Sequence, residues 1–350
     1  MIPHPASIAF VLLASLALQG NAQAEPKQTA ITTRAELQSK AAPLYPGENS
    51  GEGWVLVDFE IDKQGVVDNL RVGDSLGNRV FAEAAKDSVA KWKYSPAMEG
   101  GKPVRQFRNQ TLVIFSPDVA KPSSRLVDDQ IEMIRRLTTT IYRDEAKSRI
   151  QRILKRRDLN LLDLSKLWVL LSMYEFEEQN SAALNAATNR ATMNHGEWIE
   201  ASTYESLLIL GVQAKLQLGL HRAAIRQFER LSRTGGTRRA ERAELAGAID
   251  KLKTVIASDD VIRVDAEIRS STTCNDCDSS WRFTPVRDRF ALGNTTGHLN
   301  WINIICDHHR SSSKVSYDVE WSIPASWGEC DVEVVGDAGV AFSIFQLPDE

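Results

Sequence analysis

The hydrophobic period changes along this chain, and that change limits what it can fold into. From residue 124 to 258 apolar residues recur at helical spacing, and from 259 to 350 they alternate at strand spacing. One amphipathic pattern cannot serve both periods, so separate packing units are expected. The charge balance shifts at the same place: about 22 basic against 17 acidic residues before it, and about 7 against 16 after it. A length of 350 residues suits two or three units. The expected divisions are a signal peptide over 1–24, a mixed segment over 34–117, a helical segment over 124–258 and a β-rich segment over 259–350. The fold class is multidomain α+β.

Residues 1–24 read as a targeting segment. Ile8 to Leu18 is apolar, Gly20 and Asn21 break the run, and Ala22-Gln23-Ala24 fits a small-x-small cleavage site before Glu25. Eleven residues rise about 16 Å as a helix, short of a bilayer core of roughly 30 Å. A cleaved leader and a periplasmic mature chain with no stable membrane span are therefore expected. The alternative is an uncleaved anchor in the inner membrane. The formal net charge of −4 argues against a nucleic-acid partner.

The mixed segment reads β-β-α-β. Val55, Val57, Phe59 and Ile61 share one face of a strand, with Asp58 and Glu60 on the other. Asp62-Lys63-Gln64-Gly65 is a turn, and Val66 to Val72 returns. Asn78 caps a helix whose stripe is Phe81, Ala84, Ala85, Val89 and Trp92, stopped by Pro96. Val104 to Phe115 is the last strand.

The helical segment opens over Leu126 to Leu154, with Ile131, Ile134 and Leu137 in helical spacing, and two helical pairs follow. Leu207, Leu210 and Gly211 precede Gly219, Ala223, Ala224 and Phe228, while Trp168, Leu171 and Tyr174 hold comparable places about 38 residues earlier. This pattern resembles a tetratricopeptide repeat. An irregular helical bundle accounts for the same stripes.

In the last segment Val261 to Ile268, Leu299 to Cys306, Lys314 to Ile323, Cys330 to Val335 and Val340 to Leu347 are strand candidates for a sandwich-like unit. Trp281, Trp301, Trp321 and Trp327 are read as core. All four cysteines, Cys274, Cys277, Cys306 and Cys330, lie here. An even number in an exported chain points to disulfides. Cys274–Cys277 with Cys306–Cys330 is the favoured pairing, and the crossed connectivities stay open.

Several blocks of the mixed segment carry a resemblance. They are Tyr45-Pro46, Asp62-Lys63-Gln64-Gly65-Val66-Val67, Trp92-Lys93-Tyr94-Ser95-Pro96-Ala97 and Gly101-Lys102-Pro103-Val104. In this order and spacing they resemble the TonB C-terminal domain family. The resemblance implies a small periplasmic domain that pairs a sheet edge with an extended peptide from an outer-membrane receptor. Strand addition of this kind uses free backbone groups for affinity and alternate side chains for register. The candidate partner-binding edge is Arg105, Gln106, Phe107, Arg108, Asn109 and Gln110, with Arg105 and Arg108 placed to attract an acidic peptide or to keep a bare edge soluble. Tyr45, Phe59, Trp92 and Tyr94 are read as packing residues. Energy transducers of this family also carry a retained membrane helix and a long Pro-rich spacer. Here the first residues read as cleavable, and a short stretch from Pro26 to Leu37 precedes the domain.

No catalytic pattern stands out: the chain lacks Gly-x-Ser-x-Gly, His-Glu-x-x-His and P-loop motifs. His195 and His221 read as surface or cap residues. Cys274 and Cys277 with Cys306, His308 and His309 offer zinc or redox chemistry as a minor alternative, and Asp276 and Asp278 read as a solvated loop. The expectation is therefore a periplasmic binding module with no cofactor, taking a peptide of an envelope or outer-membrane protein. An energy-transducing transport protein is the alternative, provided the first segment is retained.

Overall fold

The computed structural model describes residues 31–47, 51–117, 125–138, 142–268, 279–317 and 319–348. The expected leader and the Cys274 and Cys277 positions lie outside them. Among the described residues no helix is long and apolar enough to cross a membrane.

The first segment contains β1 (Ile31–Thr33), β2 (Glu36–Ser39), β3 (Gly53–Ile61), β4 (Val67–Leu76), α1 (Val80–Val89), β5 (Lys93–Ser95), β6 (Ala97–Glu99), β7 (Lys102–Val104) and β8 (Gln106–Phe115). The central sheet is antiparallel in the order β4-β3-β8. Val55, Val57, Phe59 and Ile61 are buried on one face of β3, with Val113 and Phe115 of β8 and Phe81, Ala85 and Val89 of α1. Phe81 stacks on Phe115 with ring centroids 4.5 Å apart. The β3–β4 turn closes on Asp62, whose Oδ1 accepts the Gln64 and Val66 amides at 2.9 and 2.8 Å. Gly65 sits there at φ +79°, and a Cβ would meet the Tyr94 carbonyl at 1.8 Å, so the position requires glycine.

Three expectations for this segment are corrected. The helix ends at Val89, well before Pro96, and Lys93–Ser95 forms β5, paired with β2. Trp92 therefore lies beyond the helix, although it stays buried and donates Nε1–H to the Ala41 carbonyl at 3.0 Å. The last strand begins at Gln106, because Lys102–Val104 pairs separately with β6. Arg105 lies between two strands and not within the edge.

The second face of the central sheet is divided. Trp54 and Leu76 are buried in a core shared with the helices, and Leu56 and Leu112 pack against it. Farther along the same face stand Asp58, Glu60 and Gln110, cross-strand partners or alternate neighbours of the same strands. The apolar half is covered by the helices, whereas on the polar half Glu60 is buried beneath Arg105 and Arg310, and Asp58 and Gln110 reach solvent.

The helical segment consists of α2 (Arg125–Thr138), α3 (Arg143–Leu154), α4 (Leu161–Glu177), α5 (Ser181–Ala191), α6 (Ala201–Gln217), α7 (His221–Arg233) and α8 (Arg239–Ile256). The stretch expected to open it as Leu126 to Leu154 is two helices. Asn160 and Asn180 cap α4 and α5, accepting the amides of Asp163 and Ala183 at 2.7 and 3.1 Å. Gly211 allows α6 and α7 to approach: a Cβ there would meet Gln227 Nε2 at 2.0 Å. Polar links fasten the helices to the sheet. Glu52 accepts the Leu161 amide at 3.0 Å, and Arg190 holds Asp74 through two nitrogens at 2.7 and 3.0 Å.

The last segment has β9 (Ile262–Glu267), β10 (Ser280–Phe283), β11 (Arg289–Gly293), β12 (Leu299–Cys306), β13 (Arg310–Lys314), β14 (Glu320–Ser322), β15 (Cys330–Gly336) and β16 (Ala341–Leu347). Two four-stranded sheets, β10-β15-β12-β13 and β14-β11-β16-β9, enclose one core. The expected strand from Lys314 to Ile323 is corrected: its ends belong to β13 and β14, in different sheets. Trp301 is also corrected, since it is 43% exposed, whereas Trp281, Trp321 and Trp327 pack against the core. Cys306 and Cys330 are cross-strand partners and form a disulfide. Arg287, 4% exposed, donates to the carbonyls of Val255, Ile256 and Ser258 at the end of α8 and so joins helices to sandwich. A cation at a helix C-terminus satisfies unpaired carbonyls and the helix dipole together.

Candidate functional site

β8 is one of the two terminal strands of its sheet, so one row of its backbone groups faces away from β3. The structure brings Phe107, Arg108, Asn109 and Gln110 to the wall of a cleft of about 470 Å³. Across it stand Arg282, Ile305, Asp307, Arg310, Glu329 and Asp331 of the sandwich, with Arg226 of α7 at the side. The polar half of the sheet face, with Asp58 and Glu60, forms its base.

Each candidate edge residue has a partner within the chain. Arg105 reaches Glu60 and Asp68 at 2.8 and 2.9 Å. Hydrogen bonds to Asp68 and Glu60 raise the Arg105 pKa, and the same contact lowers that of Asp68. Gln106 is 2% exposed, accepts the Ala35 amide at 3.0 Å and bonds Asn109. Asn109 also donates to the carbonyls of Phe59 and Gln106, and Gln110 donates to Asp58 at 2.7 Å. Gln106 is thus an internal brace, because burial directs its amide inward.

Arg108 is the residue that crosses the cleft. Its Nε lies 2.9 Å from Asp331 Oδ2, and Nη1 lies 3.4 Å from Asp307, 3.2 Å from the Glu329 carboxylate and 3.0 Å from the Glu329 carbonyl. The Phe107 amide donates to the Asp307 carbonyl at 3.0 Å, a backbone bond from β8 to the sandwich. Arg310 returns the contact by pairing with Glu60 at 2.8 Å. Arg226 pairs with Glu329, while burial and then the neighbouring Arg108 lower its pKa.

Sequence reasoning named the edge and missed its counterpart. Asp307, Glu329 and Asp331 flank Cys306 and Cys330, so cysteine pairing is the signal that brings three carboxylates together. His309 stacks on Trp327 with centroids 3.6 Å apart, and burial lowers the pKa of His308. Among the described residues no group of three or more His, Cys, Asp or Glu is arranged to hold a metal ion. His195 adopts φ +57° in a short turn after α5, and His221 begins α7, its pKa lowered by burial.

Comparison with known proteins bears on the first segment. Residues 43–116 match the family described as Gram-negative bacterial TonB protein C-terminal. Over 76 residues the chain is 37% identical to Protein TonB of Pseudomonas aeruginosa, which is 21% of this chain and 22% of that relative. The chain thus spans about a fifth of the curated relative. Among solved structures it is similar to the Pseudomonas aeruginosa TonB CTD, at 24% identity, 27% of this chain, all of that one, and a TM-score of 0.23. It is also similar to the TonB2 protein from Vibrio anguillarum, at 27% identity, 33% of this chain, all of that one, and a TM-score of 0.20.

Proposed function

Since residues 43–116 are a TonB C-terminal domain, we propose that the chain is a cell-envelope binding module that takes an extended peptide of an outer-membrane protein by strand addition along β8. One observation carries this reading: β8 is a terminal strand of a three-stranded antiparallel sheet, and it lines the cleft with a row of backbone donors and acceptors. Arg108 gives the edge a cation that an acidic segment can pair with. The helical segment, read as two stacked hairpins of tetratricopeptide kind, scaffolds this edge beside the sandwich. The chemistry is binding and not catalysis.

A photoreactive residue at Gln110, which is exposed on the edge, tests the reading in intact cells. A crosslink to a periplasmic extension of an outer-membrane protein is expected, and it is lost when Arg108→Glu is added. Crosslinking with the same partners and yield in both backgrounds would sink the edge assignment. The transport alternative requires a retained N-terminal segment, and sequencing the mature N-terminus decides it: a start at Glu25 removes it.

A further inference from the structure

The edge of β8 already has an occupant. The Asp307 carbonyl accepts the Phe107 amide at 3.0 Å, as a paired strand would, and Asp307, Glu329 and Asp331 surround the Arg108 guanidinium. Arg108 keeps only 18% of its side-chain exposure. These three acids are not a loose surface cluster. Asp307 follows Cys306, while Glu329 and Asp331 bracket Cys330, and the disulfide joins the two cysteines directly across β12 and β15. The Asp307 amide donates to the Glu329 carbonyl at 3.0 Å, and Asp307 Oδ2 accepts the Glu329 amide at 3.2 Å. Gly328 turns the chain at φ +75° so close to Asp307 that a Cβ would lie 2.9 Å from the Asp307 Cβ. Asp307 is therefore braced without Arg108, and Asp331 accepts the Thr284 hydroxyl at 2.6 Å, while the Glu329 carboxylate is held between Arg108 and Arg226.

We propose that the sandwich acts as an intramolecular cap on the partner-binding edge, its Asp307 carbonyl and three-carboxylate claw standing in for an acidic extended peptide. The inference rests on reading β8 as that edge. An incoming peptide exchanges one backbone pairing and one set of carboxylates for another, so binding is a competition within the chain. Effective affinity falls by the fraction of molecules in which the edge is closed. The partner's acidic side chains must fall where the claw stands, close to the residue that pairs with Phe107.

The test uses the full chain and the variant Glu329→Gln/Asp331→Asn, which keeps side-chain size while neutralising two of the three acids. The probe is a short, end-capped synthetic peptide alternating Val and Glu, and its affinity is read by titration. Hydrogen exchange at the Phe107 amide is read alongside. The cap predicts faster exchange at Phe107 in the variant and binding tighter by about tenfold. Unchanged exchange in a folded variant overturns the cap, whatever the peptide does. Faster exchange with equal peptide affinity in both proteins also overturns it, while leaving the edge reading intact. Faster exchange with no binding to either protein overturns both, because the edge is then open and takes no strand. Arg108→Ala serves as a control in which peptide affinity falls even though the claw has been released.

Discussion

Arg108 Nε lies 2.9 Å from Asp331 Oδ2 although 223 positions separate the two residues in the chain. The contact spans the two ends of the protein and closes the cleft along β8. Reversing the charge in Arg108→Glu places a fourth carboxylate among three. Partly buried like charges repel more strongly than surface pairs attract, so a loss of about 2–4 kcal/mol is expected. It should appear as a lower urea midpoint and as faster exchange at Phe107. The double variant Arg108→Glu/Asp331→Arg, which restores one opposite pair, should recover part of the loss. No recovery would show that Arg108 acts by packing and not by charge.

Trp54 is fully buried in the core that the sheet shares with the helices. Trp54→Ala leaves a cavity between the two units and should cost about 3–5 kcal/mol. Its position also makes a sharper prediction. Sheet and helical units should unfold in one transition in the native chain, and the cavity should separate them into two. Calorimetry showing two well-resolved transitions already in the native protein would contradict the shared core.

Much of this arrangement was legible in the sequence, and the parts that were not have physical reasons. Alternation located β3, because one face of it packs on α1. The other face held an unread sign: Trp54 and Leu56 are apolar where Asp58 and Glu60 are charged, so Trp54 to Val57 is apolar on both sides. A strand covered on both faces reads this way, and here it marks the helical layer. The short strands β1, β2, β5 and β7 run three or four residues, too few for a period to emerge. The edge residues were found through family blocks, whereas the claw was invisible because its acids lie far apart in sequence. Of the cysteines, Cys306 and Cys330 pair as favoured, with Cys274 and Cys277 outside the described residues.

Lys215 is 6% exposed on α6, with its Nζ donating to Asn189 Oδ1 at 2.8 Å. Burial, with Arg230 adding like charge, lowers its pKa from 10.5 to about 7. Between these values the unfolded chain binds a proton that the folded chain releases, so stability rises with pH across that window. Below the folded value the penalty is present in full. Lys215→Met removes the charge while keeping the stem, and a gain of roughly 2–4 kcal/mol at pH 6 is expected, shrinking towards pH 10. Urea unfolding at pH 6, 8 and 10 reads this directly. A variant less stable than the native chain at pH 6 would mean that the Asn189 hydrogen bond outweighs the buried charge.

The Cys306–Cys330 disulfide closes a separation of 24 residues inside the sandwich, and both cysteines are buried. Loop-closure entropy assigns such a crosslink about 3 kcal/mol. The double variant Cys306→Ala/Cys330→Ala should lower the stability of the sandwich by about that amount, read as a shift in its urea midpoint. Each cysteine is also next in sequence to an acid of the claw, so a second effect is expected. Without the crosslink Asp307 is tied to Glu329 by their two hydrogen bonds alone, and the amide of Phe107 exchanges faster than the stability loss alone requires. Exchange at Trp54, deep in the other core, serves as the internal reference and should stay unchanged. If Phe107 and Trp54 accelerate together, the disulfide stabilises the protein globally and does not fix the claw. If Phe107 alone accelerates, the crosslink sets how firmly the edge is closed.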